Sequence, residues 1–164
     1  MVAYVTRVPA GFVGVVSRFD SITVQPEIVD SSTPPTAFGS FVKLVSGKVQ
    51  PLASSDAGSV VYGVLVNPYP HQSTTNGLGT AATPPTSGLV SIMKRGYIPV
   101  KLVVGTAAKS GAVYVVTTAG GSVVVGDVVT STSPAGGGTA VAVTGAVFMG
   151  PADANGVVEI AYNI

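Results

Sequence analysis

The sequence carries very little charge. Of its 164 residues eight are Lys or Arg and seven are Asp or Glu, so that 9% are charged, while 46% are hydrophobic. Soluble domains usually contain about 25% charged residues, and mixed surface charge keeps monomers dispersed. The composition therefore indicates a chain whose uncharged surface is covered by neighbouring molecules, that is, a component of an assembly.

Cysteine and tryptophan are absent, and the sequence has one histidine, His71. The lack of cysteine excludes disulfides, thiolate metal sites and cysteine nucleophiles. The single histidine excludes a metal site built on a histidine pair, and any nucleophile–base arrangement would have to use His71. That residue lies inside a long Pro- and Thr-rich segment, where the rigid placement needed for acid–base catalysis is not expected. We interpret His71 as a contact residue.

The acidic residues and the glycine clusters do not match a catalytic or ligand-binding motif. Asp56, Asp127 and Asp153 have Gly or Ala neighbours, which favours turn-forming roles. The segment 153–156 lacks the alternating acids and the distal glutamate of an EF-hand. No Gly-Lys-Ser/Thr follows the glycine clusters as it does in a phosphate-binding loop. We therefore expect no enzymatic activity, no cofactor and no metal site.

The basic residues are dispersed, and only Lys94 and Arg95 are adjacent. This pattern lacks the polybasic footprint of a nucleic-acid-binding protein. The apolar runs are far shorter than the roughly 18 residues that span a bilayer, and the first residues do not resemble a secretory signal. The sequence thus predicts a non-secreted chain with no nucleic-acid or membrane partner.

Short Val-rich runs separated by Gly, Pro, Ser and Thr dominate the sequence. Gly and Pro disfavour helix interiors, and many short strands with turn residues between them are typical of sandwiches and barrels. Ser46-Gly47 predicts a two-residue hairpin turn, and Gly63 inside an apolar run predicts a bulge or a close backbone approach. The predicted strands span residues 11–18, 22–29, 41–45, 48–52, 60–66, 112–116, 122–125, 140–149 and 157–164, with two more in 88–104 bent around Lys94-Arg95-Gly96.

These patterns predict an all-β fold: a β-sandwich or jelly-roll-like domain, or a β-barrel, with long loops and with two packed β-layers as an option. We expect a single β-rich domain over residues 1–164, in which a change of composition near Gly105 allows sub-layers at 1–104 and 105–164. Residues 67–87, rich in Pro and Thr, are expected to form a long loop. Loops of this length are usually functional or disordered, and we interpret this one as an arm that becomes ordered against a partner.

Three segments occur in an order that is known from one family. An apolar run with an interior glycine at 62–66 is followed by Asn67-Pro68-Tyr69-Pro70. Then come Lys94-Arg95-Gly96-Tyr97 and, at 105–115, Gly-Thr-Ala-Ala-Lys-Ser-Gly-Ala-Val-Tyr-Val. Together they resemble the capsid cement, or head decoration, proteins of tailed bacteriophages, the structural cement family. The likeness extends over residues 10 to 125.

The resemblance implies a domain on the outer capsid surface that bridges neighbouring subunits of the major capsid protein, without enzymatic activity. It also implies a virion location after synthesis in the host cytoplasm. We expect the chain to associate with itself, with a dimer favoured over a trimer. The candidate capsid or oligomer interface consists of Asn67, Tyr69, His71, Lys94, Arg95 and Tyr97.

Two other functions are the main alternatives on the sequence. One is a glycan-binding, host-adhesion β-sandwich, against which stand the lack of Trp and of clustered Asp, Asn and aromatic residues. The other is a structural protein of the phage tail or baseplate, which the copy number per particle would distinguish from cement. A polysaccharide hydrolase is the weakest candidate, because no local pair of carboxylates is found.

Overall fold

Strands and turns make up the computed structural model, which describes residues 11–68 and 83–164. Within these two ranges there is no α-helix, one 3-10 turn at Gly58–Val60, and no helix long and apolar enough to cross a membrane. The prediction of an all-β fold is confirmed. The strands are β1 (Arg18–Ile28), β2 (Phe41–Val45), β3 (Lys48–Pro51), β4 (Gly63–Leu65), β5 (Leu89–Val104), β6 (Ala112–Thr118), β7 (Val128–Val129), β8 (Thr139–Phe148) and β9 (Val157–Tyr162).

The hairpin of β2 and β3 forms as the sequence predicts. Ser46 and Gly47 both have positive φ, 50° and 76°, which is the backbone of a two-residue turn whose twist matches that of the flanking strands. The register runs from Val45 opposite Lys48 to Val42 opposite Pro51. The turn residues therefore fix the pairing of this hairpin locally.

Hydrogen bonding between the strands closes two rings that share β5. In the first ring the order is β1, β5, β4, β2, β3, and the ring closes where Val29 forms a parallel bridge with Val49. In the second ring β5 pairs with β7, β7 with β6, β6 with β8, β8 with β9, and β9 again with β5. Closure leaves few unpaired strand edges.

The two faces of the first ring bury different residues. Val42, Leu65 and Ile92 lie in a cluster inside the ring, together with Val49 and Val90. The alternate residues of the same strands pack outward into the large core of the second ring, because side chains of a strand alternate between its faces. The members of that core contributed by the first ring are Phe41, Val64 and Met93, and those of the second ring include Val113, Phe148, Val158, Ile160 and Tyr162.

The strand β5 differs from the prediction of two strands bent around Lys94-Arg95-Gly96. It is one strand of 16 residues, and the predicted bend is the point where its partners change. Before Gly96 it pairs with β1 and β4. From Gly96 onward β9 takes the place of β4, while β1 pairs once more at Tyr97 and β7 pairs from Leu102. Gly96 has a φ of +139°, a conformation that residues with a side chain disfavour. The bend predicted at this glycine therefore corresponds to an irregularity of the strand backbone.

Two predicted strands are wrong. Residues 11–17 form a turn and irregular backbone, because Gly14 has a φ of +81° and packs where a Cβ would lie 2.8 Å from the nitrogen of Gly39. The segment 122–125 is also a turn, since the Val124 N–H donates to Asp127 Oδ2 at 2.8 Å. The next apolar pair, Val128–Val129, pairs with β6 in place of the predicted strand. The predicted strand at 60–66 shortens to β4 because residues 58–60 take the 3-10 turn.

The closure of the first ring is held by Asp30. Its N–H donates to the Val49 carbonyl at 3.0 Å. Its carboxylate accepts hydrogen bonds from the Ser32 hydroxyl at 2.5 Å and from Gln50 Nε2 at 2.6 Å. These bonds, the one from the Ser32 hydroxyl foremost, lower the pKa of Asp30 from 3.8 to about 2.

The lowered pKa of Asp30 predicts acid sensitivity of the closure. A carboxyl whose pKa falls on folding contributes stability above its unfolded pKa, and that contribution is lost as the pH falls through the folded value. We expect the difference in free energy of unfolding between the wild type and Asp30→Asn to shrink as the pH is lowered from about 4 toward 2. Urea denaturation at a series of pH values measures it, with Asp20→Asn, an exposed acid of β1, as the control. A difference that stays constant over this range would contradict the role of Asp30.

Candidate interface at the bulge of β1

A bulge in β1 lies opposite Gly96, the residue of β5 at which the pairing partners of β5 change. Arg18 pairs with Tyr97 and Thr23 pairs with Arg95. Four residues of β1, numbers 19–22, therefore face the single residue Gly96. A Cβ at Gly96 would lie 3.1 Å from Met93 Sδ and 3.5 Å from Ile22 Cα, so the absence of a side chain there lets the bulged strand approach. Bulges of this kind redirect side chains and are frequent at functional sites.

The start of the bulge is fixed by Arg18. Its guanidinium carbon lies 4.3 Å from the ring centroid of Tyr97, a cation–π geometry. Its Nη2 lies 2.6 Å from Glu159 Oε2, and Ser17 donates its hydroxyl to the other oxygen of Glu159 at 2.6 Å. The hydrogen bond with Glu159 raises the pKa of Arg18 above its usual value. Three strands, β1, β5 and β9, thus meet at this guanidinium.

The bulge presents Phe19 to solvent. This side chain is 79% exposed, the highest value among the large hydrophobic residues that the structure describes. Arg95, opposite the end of the bulge, is also exposed and forms no ion pair within 11–68 and 83–164. Aromatic residues and arginine are enriched at protein–protein interfaces. The name "bulge surface" is used below for Arg18, Phe19, Arg95 and Tyr97.

Lys94 does not belong to the bulge surface. It alternates with Arg95 and points to the other face of β5, where its Nζ lies 3.0 Å from the centroid of the Tyr62 ring. The same ammonium donates to the Tyr62 carbonyl at 2.5 Å, and the Tyr62 hydroxyl donates to Glu27 Oε1 at 2.5 Å. Burial lowers the pKa of Lys94, an effect partly offset by the charge of Glu27. Lys94 therefore braces β1, β4 and β5 against one another.

Of the remaining predicted interface residues, the structure describes Asn67. Asn67 is partly buried beside Gly14, to whose carbonyl its N–H donates at 2.7 Å. Its Oδ1 is buried and accepts no hydrogen bond from a described residue. Tyr69 and His71 lie outside the described residues, as does most of the predicted loop 67–87. Their place in an interface stays a prediction.

Two residues of the bulge surface, Arg18 and Phe19, are missed by sequence reasoning. The sequence places Phe19 in the gap between two predicted strands, at 11–18 and 22–29. A bulky aromatic between Arg18 and Asp20 is the signal that could have drawn attention, because an aromatic flanked by charges rarely faces a core. The bulge itself depends on pairing with β5, which lies more than 70 residues away.

The chemistry available at this surface is that of contact. No group of three or more His, Cys, Asp or Glu residues that could hold a metal ion occurs among residues 11–68 and 83–164. The charged groups at the bulge are either paired, as Arg18 with Glu159, or exposed to solvent, as Arg95. The bulge surface can supply apolar area, stacking and charged hydrogen bonds to a partner.

Comparison with known proteins decides the family. Residues 2–163 match the family described as "Structural cement protein (E217 gp24/Pam3 gp6)". The chain belongs to this family. As a cement protein it has a structural role in stabilising a phage capsid, and the resemblance found in the sequence is confirmed.

The fold of this cement protein has a counterpart among solved structures. A chain of "The capsid of Myoviridae Phage XM1" is 21% identical and superposes with a TM-score of 0.68, covering 98% of this chain and 95% of that one. No curated protein matches the sequence. Because 21% identity shows the fold alone, the surface by which the cement protein binds has to be inferred from its own residues.

Proposed function

We propose that this protein binds the outer surface of a phage capsid and bridges neighbouring subunits of the major capsid protein, so that the mature head is stabilised. Membership of the structural cement family supports this role. A protein that binds the assembled lattice better than its separate subunits shifts the equilibrium toward the lattice by mass action. Many copies, each with a modest binding free energy, then stabilise the whole shell.

The single observation that carries the binding mode is the bulge of β1, which exposes Phe19 next to an arginine that Glu159 and Tyr97 hold in place. Because only 9% of its residues are charged, the protein has few charged groups with which to bind a partner. Contacts through apolar burial are only weakly screened by salt. Of the predicted interface residues, Arg95 and Tyr97 lie in the bulge surface. We propose that they contact the capsid.

The remaining features of the proposal follow from the same role. We propose that the protein acts as one domain, since β5 belongs to both rings, and that it has no enzymatic activity. It associates with itself, as a dimer rather than a trimer, and binds neither nucleic acid nor membrane. Made in the host cytoplasm, it reaches the virion by binding the finished shell from outside. Saturable binding to undecorated shells, with higher resistance of the shells to heat, is the test.

A further inference from the structure

We propose that Phe19 is the residue that anchors the protein to the shell, by inserting its ring into an apolar pocket of a capsid subunit. This inference deepens the proposed function and rests on it. It names one side chain and the chemistry of the surface that receives it.

The exposure of Phe19 is the first argument. Phe38, Phe41 and Phe148 are at most 8% exposed and Phe12 is 49% exposed, whereas Phe19 is 79% exposed. The ring therefore contributes almost nothing to the core of the monomer. Removal of that much apolar surface from water favours association strongly, and single aromatic anchors often dominate an interface.

The rigidity of its surroundings is the second argument. On one side Arg18 is held by Glu159 and by the ring of Tyr97. On the other side Ile22 packs against the core of the second ring of strands. Phe19 is thus presented from a backbone pinned at both ends of the bulge. A pre-organised anchor loses little conformational entropy on binding, so its burial is converted efficiently into affinity.

The nature of the neighbouring strand edge argues for side-chain docking rather than strand addition. The Val29 N–H donates to the Gly88 carbonyl at 2.9 Å. The backbone N–H and C=O groups of odd-numbered residues here therefore point toward β5, and those of even-numbered residues point away from it. Pro26 is one of the even-numbered residues and has no N–H. A partner strand therefore cannot form a continuous hydrogen-bonded ladder along this edge, and the exposed aromatic is the stronger contact.

The charged residues of the bulge and of the facing part of β5 describe the receiving surface. Arg18 is neutralised by Glu159, whereas Arg95 and the exposed Asp20 have no ion pair with a described residue. The complementary surface is an apolar pocket whose rim carries a carboxylate for Arg95 and a hydrogen-bond donor for Asp20. Membership of a cement family makes a capsid subunit the occupant.

Co-sedimentation with empty, undecorated shells tests the proposal. We expect Phe19→Ala to weaken binding by about 30-fold or more and Phe19→Leu to weaken it less, since leucine keeps part of the apolar volume. Leu89→Ala is the matched control, because Leu89 is an apolar side chain of similar exposure, 67%, on the partner strand. It should bind like the wild type. Thermal unfolding of Phe19→Ala should be unchanged, since the ring lies outside the core.

Three results would overturn the anchor. If the wild type binds shells and Phe19→Ala binds them equally well, Phe19 is not part of the interface, although the proposed function still holds. Equal losses for Phe19→Ala and Leu89→Ala would indicate a diffuse apolar contact. A loss of self-association by Phe19→Ala in sedimentation velocity, with shell affinity per protomer unchanged, would assign the ring to a contact between copies. Failure of the wild type to bind shells would instead refute the proposed function itself.

Discussion

Replacement of Phe41 by alanine is expected to lower the free energy of unfolding by about 3–5 kcal/mol. Phe41 is 1% exposed and belongs to β2 of the first ring, yet its side chain packs in the core of the second. Its ring meets that of Tyr162 on β9 edge to face, with centroids 6.2 Å apart. The substitution leaves a cavity where the two rings join, and the total stability of a domain is only about 5–15 kcal/mol.

Chemical denaturation followed by circular dichroism measures this effect. Leu44→Ala is the matched control, because Leu44 lies on the same strand with 38% of its surface exposed and loses far less buried contact. The account predicts a much larger loss for Phe41→Ala than for the control. Equal losses would mean that the junction between the rings contributes little to stability.

The second large effect is expected at Gly63, where alanine should cost about 3 kcal/mol. A Cβ at this position would lie 2.5 Å from Ile92 Cγ2 and 2.6 Å from the Met93 carbonyl oxygen. Both neighbours are fully buried residues of β5, so neither can move aside without a shift of β4 away from β5. The sequence predicts a bulge or a close backbone approach at Gly63, and the close approach is that of β5.

A double-mutant cycle isolates the clash. Ile92→Ala removes Cγ2, and in that background Gly63→Ala should cost less than it does in the wild type, although the carbonyl of Met93 still opposes it. Coupling between contacting residues typically reaches about 0.5–3 kcal/mol. Strict additivity of the two substitutions would show that Ile92 does not limit the space at Gly63.

Local signals in the sequence predict a good part of the fold. The Ser46-Gly47 turn fixes its hairpin because two positive φ angles suffice to set the register. The strands at 140–149 and 157–164 are recovered to within about two residues, the usual uncertainty at strand ends, since turn residues bound each apolar run. The closure of two rings around β5 is not predictable in this way, because it depends on pairings between residues far apart in the chain, such as Val29 with Val49 and Leu102 with Val128.

Two of the six predicted interface residues belong to the bulge surface. They are Arg95 and Tyr97, the second of which is an aromatic residue beside a predicted turn. Lys94, which belongs to the same segment of the family resemblance, points to the opposite face because alternate residues of a strand do. Arg18 and Phe19 are missed, since their position depends on a bulge that forms only when β1 pairs with β5. Sequence reasoning thus finds residue types suited to contact, whereas pairing decides which of them share a surface.

The most direct test of the central claim is to count bound copies. Purified protein is titrated onto mature, undecorated shells of the phage that encodes it, the shells are sedimented, and the bound protein is compared with the capsid subunit. The account predicts saturation at a fixed ratio of copies to capsid subunits, with shells that withstand a higher temperature once saturated. Absence of binding, or saturation at a handful of copies per shell, would contradict a cement role and would favour a place in the tail or a glycan-binding function.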